Sequence, residues 1–221
     1  METTSGVFEK VNQAGVVAVL TIDREADAAP LARALLRGGV SVMELTLRTS
    51  AAMGALRRIV TEVPEMTAGI GTILRAGQAR EAASAGAAFG VSPGLNPDVV
   101  LAAADAGLPF APGIATPSEV ERALDLGCRV LKFFPAEPLG GIAYLKAVAA
   151  PYAHLGLRYL PLGGIHAGNM RSYLEQSFVG AIGGSWIAES SLIREQSWDA
   201  IAGRAREAMD LVAQARGEKT G

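Results

Sequence analysis

One phrase repeats along this chain: an amphipathic helix, a small residue, a glycine, then a short apolar strand. It is clearest in the middle, where Gly86, Gly107 and Gly127 recur at near-equal intervals, each ending a helix. Extended over the whole length, the pattern predicts strands over 16–21, 40–47, 66–73, 87–91 and 109–114. It predicts further strands within 129–137 and over 157–162 and 179–187, eight in all. The helices between them are predicted over 26–37, 51–62 with a Thr49-Ser50 cap, and 77–85. Asn96 caps the next helix, and Thr116-Pro117-Ser118-Glu119 opens the one after it as a capping box with proline at the first position. Helices over 140–150, 167–176 and 198–215 complete the alternation, with a frayed tail expected from Gly217 and a short helix over 5–15 before the first strand.

Eight strands joined to helices by short loops predict an α/β fold, a single closed (β/α)8 TIM barrel with a short N-terminal helix. The alternative is an open doubly wound sheet, but no G-x-G-x-x-G follows the first strand. No linker or composition break divides the chain, so one domain over 1–221 is expected.

Composition narrows the function classes. A net charge of −2 without a basic block argues against a nucleic-acid surface. No apolar run reaches the roughly 18–20 residues that span a bilayer, and residues 1–15 hold no secretory signal core. The single cysteine, Cys128, has no internal partner, which fits a reducing cytoplasm. Two separated histidines, His154 and His166, make a poor basis for a metal site, and no metal is expected.

The most unusual residue is a lysine inside an apolar strand, in Val130-Leu131-Lys132-Phe133-Phe134. An ammonium buried without a partner is costly, and a buried lysine answers by giving up its proton. A neutral amine attacks carbonyls, which is where Schiff-base chemistry begins. The plainer reading is a lysine that reaches water or pairs with a carboxylate. Barrel geometry decides what else is near it. Inward residues share a parity along each strand, and chemistry collects at the C-terminal strand ends. On the second strand Glu44, Thr46 and Arg48 share one face; on the third, Ile70 and Thr72; on the sixth, Lys132 and Phe134. A carboxylate, a guanidinium, a hydroxyl and an amine therefore converge at one mouth. Phe133, of opposite parity, is expected to pack toward the helices.

The last two strands carry Leu162-Gly163-Gly164-Ile165 and Gly183-Gly184-Ser185-Trp186. Glycines there let backbone N–H groups approach a ligand, and in barrels this position commonly holds phosphate. His166 is expected to border that site, and Cys128 to be packing.

Together the segments Glu44-Leu45-Thr46-Leu47-Arg48-Thr49, Gly69-Ile70-Gly71-Thr72, Ser92-Pro93-Gly94, Lys132-Phe133-Phe134-Pro135-Ala136-Glu137, Gly163-Gly164-Ile165 and Gly183-Gly184-Ser185-Trp186 resemble the 2-keto-3-deoxy-6-phosphogluconate (KDPG) and 4-hydroxy-2-oxoglutarate (KHG) aldolases. The resemblance implies a class I, metal-independent lyase of the Entner–Doudoroff type that releases pyruvate and glyceraldehyde 3-phosphate. It implies a covalent imine in place of a cofactor, and a homotrimer. Carried over by position, it makes Lys132 the Schiff-base lysine and Glu44 the general acid/base. Arg48 and Thr72 would hold the pyruvyl carboxylate, with Pro93 and Phe134 lining that end. Gly163, Gly164, Gly184 and Ser185 would bind the distal phosphate.

One departure bears on specificity. Where the gluconate-type enzymes resemble one another in a threonine before the Gly-Gly pair, this chain has Leu162, as an apolar residue stands there in the galactonate type. A 2-keto-3-deoxy-6-phosphogalactonate aldolase is thus the alternative substrate reading. Two further alternatives come from other classes. A non-covalent isomerase or epimerase would use Glu44 as base and form no imine with pyruvate; a sugar-phosphate binding protein would bind without turnover.

Overall fold

The computed structural model describes residues 3–217. A first helix, α1 (Thr3–Ala14), leads into β1 (Val16–Leu20), and strands and helices then alternate to the end. The strands are β2 (Val42–Thr46), β3 (Thr67–Gly71), β4 (Gly90–Val91), β5 (Phe110–Ala111), β6 (Gly113–Ile114), β7 (Val130–Phe133), β8 (Arg158–Pro161) and β9 (Ile182–Gly184). The helices that follow them are α2 (Ala28–Arg37), α3 (Ala52–Glu62), α4 (Ala76–Ser84), α5 (Pro97–Asp105), α6 (Pro117–Asp125), α7 (Gly141–Ala149) and α8 (Met170–Leu174). The chain closes with α9 (Ser190–Arg194) and α10 (Trp198–Arg216).

Every strand pair is parallel, in two hydrogen-bonded runs, β5-β4-β3-β2-β1-β9 and β6-β7-β8. The runs join at both ends. β5 and β6 are one stave of the barrel broken at Pro112, which has no N–H to give the ladder. Pro112 still accepts from Lys132 N at 2.9 Å, so pairing continues across the break. At the other seam, the bridges Tyr159↔Val179 and Leu162↔Gly183 tie β8 to the last strand. The nine segments thus make eight staves of a closed parallel barrel, as the repeated phrase predicts.

Several boundaries differ from expectation. β4 covers two residues of the expected 87–91, although Ala88 N→Ala68 O (2.9 Å) and Ile70 N→Phe89 O (3.0 Å) carry the pairing further. The last strand ends at Gly184, because Trp186–Ala188 coil into a 3-10 turn and α9 follows, an element that lacks a sequence signal of its own. The Thr49-Ser50 cap does not form. Ala51 precedes α3 without a side-chain cap, and Thr49 Oγ1 donates to Ile22 O instead, fastening the β2 exit to the β1 exit. Asn96 and the Thr116–Glu119 box do cap α5 and α6. Gly217 ends α10 in the left-handed region at φ 71°; the rest of the expected frayed tail, 218–221, lies outside the described residues.

The core has two parts. The larger fills the space between staves and helices. The smaller fills the barrel from below: Val17, Val42, Phe89 and Leu160 from the staves meet Phe8 and Val11 of α1. Phe8 and Phe89 rings sit 6.1 Å apart, and a Cβ on Gly69 would lie 2.4 Å from the Phe89 ring, so the glycine makes room for it. Arg216 fixes the plug by donating to the carbonyls of Asn12, Gln13 and Gly180. The N-terminal end of the barrel is thus filled, while the C-terminal mouth is open.

Candidate active site

A cavity of about 370 Å³ opens at that mouth. Its floor is an ion pair across the barrel. Lys132, in the middle of β7, donates from Nζ to Glu44 of β2, at 3.1 Å to Oε1 and 3.5 Å to Oε2. Lys132 is 5% exposed and Glu44 2%. The amine and carboxylate that strand parity brings to one mouth are thus in direct hydrogen-bond contact. A carboxylate at hydrogen-bond distance can accept the ammonium proton, which leaves the amine free to attack.

The pair depends on a glycine. On β3, Gly71 stands where a Cβ would come within 1.7 Å of Glu44 Oε1, so any side chain there would displace the carboxylate. Phe134 covers the lysine, with its ring centroid 5.5 Å from Nζ. Phe133, of the other parity, packs outward on Tyr144 of α7, with ring centroids 6.1 Å apart.

One wall of the cavity holds Arg48, Thr72 and Pro93. Arg48 lies just past β2, exposed, and forms no salt bridge among the described residues. Its fork is available to a carboxylate in a bidentate geometry. Thr72, just past β3, adopts φ 62°. A β-branched residue in the left-handed region is strained, and such strain persists where the surroundings hold a side chain in place.

The opposite wall is largely backbone. Gly163 and Gly164 line it at φ 97° and 79°, together with Ser185. Cβ atoms on the two glycines would lie 3.1 Å from Pro135 Cα and 2.6 Å from Glu137 Cβ, so only glycine fits this turn. Leu162 also lines the cavity, its side chain seated over Gly183, where a Cβ would lie 2.3 Å from Leu162 Cγ.

Gly183 is on the cavity wall, while its neighbour Gly184, expected to serve through its backbone, is not among the lining residues, and a Cβ there would meet Trp186 and Ile187. His166 is not on the wall either: its Nδ1 accepts from Gly168 N at 3.1 Å. Cys128 is buried away from the mouth, and burial pushes its thiol up to about 11, which suits packing.

Several wall residues carry no role in the sequence reading, among them Thr21, Thr46 and Glu189. Thr21 and Thr46 share a hydrogen bond of 2.7 Å, and Thr46 Oγ1 also donates to Leu20 O at 3.2 Å. Thr21 has the parity of Val19, which also lines the cavity, so extending the parity test to the first strand would have found it. Glu189 stands at the glycine side, its carboxylate 3.0 Å from Arg204 of α10, and only the folded loop brings it there. Among the described residues no group of three or more His, Cys, Asp or Glu could hold a metal ion, and no helix is long and apolar enough to cross a membrane.

The chain is similar to known proteins. The model of the KDPG and KHG aldolase family matches residues 7–203. The 2-dehydro-3-deoxy-phosphogluconate aldolase of Treponema pallidum is 42% identical over 206 residues, covering 93% of this chain and 97% of its own. The KHG/KDPG aldolase of Escherichia coli K12 is 43% identical over 195 residues, covering 88% and 91%. Among solved structures, the KDPG aldolase of Legionella pneumophila, with pyruvate captured as a covalent carbinolamine, superposes with a TM-score of 0.86 at 36% identity, covering 90% of this chain and 96% of that one.

Proposed function

The chain belongs to the KDPG and KHG aldolase family, and from that premise we infer that it is a class I aldolase cleaving 2-keto-3-deoxy-6-phosphogluconate to pyruvate and glyceraldehyde 3-phosphate. The observation that carries this reading is the buried pair at the cavity floor, Lys132 Nζ 3.1 Å from Glu44 Oε1. 4-Hydroxy-2-oxoglutarate, which would yield pyruvate and glyoxylate, is a second substrate on the same reading.

The residues divide the reaction as follows. Glu44 takes a proton from Lys132, and the neutral amine adds to the C2 ketone to give a carbinolamine. Glu44 returns protons as water leaves, and the resulting iminium becomes an electron sink. Loss of the C4 hydroxyl proton to Glu44 breaks the C3–C4 bond and releases the aldehyde. The enamine takes a proton at C3 from Glu44, and hydrolysis frees pyruvate and the lysine. Arg48 and Thr72 hold the carboxylate beside C2, while Pro93 and Phe134 close that end. Gly163, Gly164, Gly184 and Ser185 take the phosphate. Binding energy won at the remote phosphate aligns the scissile bond, so a dephosphorylated substrate should lose rate as well as affinity.

Leu162 offers no hydroxyl beside the substrate's middle, yet the relatives of highest similarity quoted above are named for the gluconate epimer. That supports the gluconate reading over the galactonate one. The proposal further comprises a single domain over 1–221, a metal-free mechanism, a homotrimeric assembly and a cytoplasmic location.

The test is sodium borohydride trapping with pyruvate, followed by peptide mass spectrometry. A reduced pyruvyl adduct on Lys132 is expected. Pyruvate that binds without forming an adduct would sink the covalent mechanism and bring forward the non-covalent isomerase.

A further inference from the structure

The turn that carries Gly163 and Gly164 has three consecutive carbonyls, and each accepts a hydrogen bond from protein behind the cavity wall. Leu162 O accepts from Ala136 N at 2.7 Å and Gly163 O from Glu137 N at 3.0 Å. Gly164 O accepts from Asn169 Nδ2 at 3.1 Å, and Asn169 Oδ1 in turn accepts from His166 N at 2.8 Å. Carbonyl oxygens aimed at an anion would repel it, so a turn that receives phosphate must hold them elsewhere. Side chains on the turn cannot do this, because both residues are glycine.

Glu137 supplies the support from below. Its Cβ and Cγ occupy the space where a Cβ on Gly164 would lie, at 2.6 and 2.9 Å. Its carboxylate Oε1 accepts from the hydroxyl of Tyr173, a residue of α8 with no exposure. Burial, then the bond to Glu137, push the Tyr173 hydroxyl well above the usual phenol range, so it remains a donor. The start of α7 closes around the same atoms: a Cβ on Gly141 would lie 3.1 Å from Glu137 Oε1 and 3.4 Å from Tyr173 Oη.

We propose that Glu137, Tyr173 and Asn169 are positioning residues for phosphate recognition, holding the Gly163–Gly164 carbonyls away from the cavity so that the turn accepts the anionic end of the substrate. None of the three lines the cavity. They act through the glycine turn, and the inference rests on the aldolase reading above.

The test separates the phosphate end from the chemical end. Exchange of pyruvate methyl protons in D2O, followed by NMR, uses Lys132 and Glu44 and needs no phosphate. KM for the phosphorylated substrate uses both ends. Tyr173→Phe and Asn169→Ala are each expected to raise KM for 2-keto-3-deoxy-6-phosphogluconate about threefold to tenfold, the size of one lost hydrogen bond. Pyruvate exchange should stay within about twofold of wild type. Glu137→Ala should behave like the other two, whereas Glu137→Gln keeps an acceptor for Tyr173 and should restore the wild-type KM. A parallel fall of exchange and of phosphorylated turnover would overturn the proposal in favour of general loosening of the fold. Unchanged KM in all the variants would overturn it outright. Wild-type enzyme that exchanges no pyruvate protons would instead bring down the aldolase reading, a result that the variants are not needed to see.

Discussion

Lys132 and Glu44 sit on staves from opposite sides of the barrel and meet only because Gly71 leaves the Glu44 carboxylate room to cross. The pair is both the proposed catalytic centre and a structural hazard, since removing one member of a buried ion pair leaves the other uncompensated, at about 3–5 kcal/mol. Lys132→Ala should therefore abolish turnover, measured by pyruvate release, and also lower the urea midpoint. Glu44→Gln keeps the shape and an acceptor oxygen but cannot take the proton. It should slow turnover by roughly 10²–10⁴ while pyruvate still binds; unchanged kinetics would remove Glu44 from the proton-transfer role. At this scale much of the site was legible. Parity along the second, third and sixth strands brought Glu44, Arg48, Thr72, Lys132 and Phe134 to one mouth without any tertiary information.

The elements owe their ends to local chemistry that reads well from sequence where it is covalent or short-range. The capping box of α6 is such a case, with Thr116 Oγ1 accepting from Glu119 N and the Glu119 carboxylate accepting from Thr116 N at 2.8 Å. Thr116→Ala should cost about 1 kcal/mol. Scanning calorimetry should record a fall in Tm of about 2–4 °C for a chain of this size, with kcat/KM unchanged because Thr116 does not line the cavity. Where an element's fate depends on a distant partner, the sequence misleads. Thr49 has the chemistry of a helix cap, but its hydroxyl is taken by Ile22 O of the neighbouring stave's exit. Likewise 185–189 continues an apolar run that looks like strand, yet Arg204 of α10 donates to Trp186 O and pairs with Glu189, and the segment turns away from the ladder.

Across the whole molecule the two ends of the barrel are made unlike. α1 fills the N-terminal end with Phe8 and Val11, and Arg216 ties it to the far terminus of the chain. The C-terminal end is left with polar side chains and bare backbone. Phe8→Ala would leave a void under Phe89 and should cost about 3–5 kcal/mol, read by urea unfolding. The borohydride adduct should still form on the folded fraction, because the plug and the reacting pair lie at different depths of the barrel.

The sequence by itself determined the alternation that closes the barrel, since the apolar strand runs and helix-stopping glycines are local signals that leave few other topologies. It also determined which chemical groups reach the mouth, because strand parity has a fixed period of two. The tertiary structure decided what those groups do to one another. It set Lys132 and Glu44 at hydrogen-bond distance, and it turned the carbonyls of the glycine turn back into Ala136, Glu137 and Asn169. It also put Gly183 on the wall. Apart from the short-range Gly164–Asn169 bond, these contacts join residues far apart in the chain, set by how neighbouring staves and helices stack, and local periodicity carries no information about that stacking.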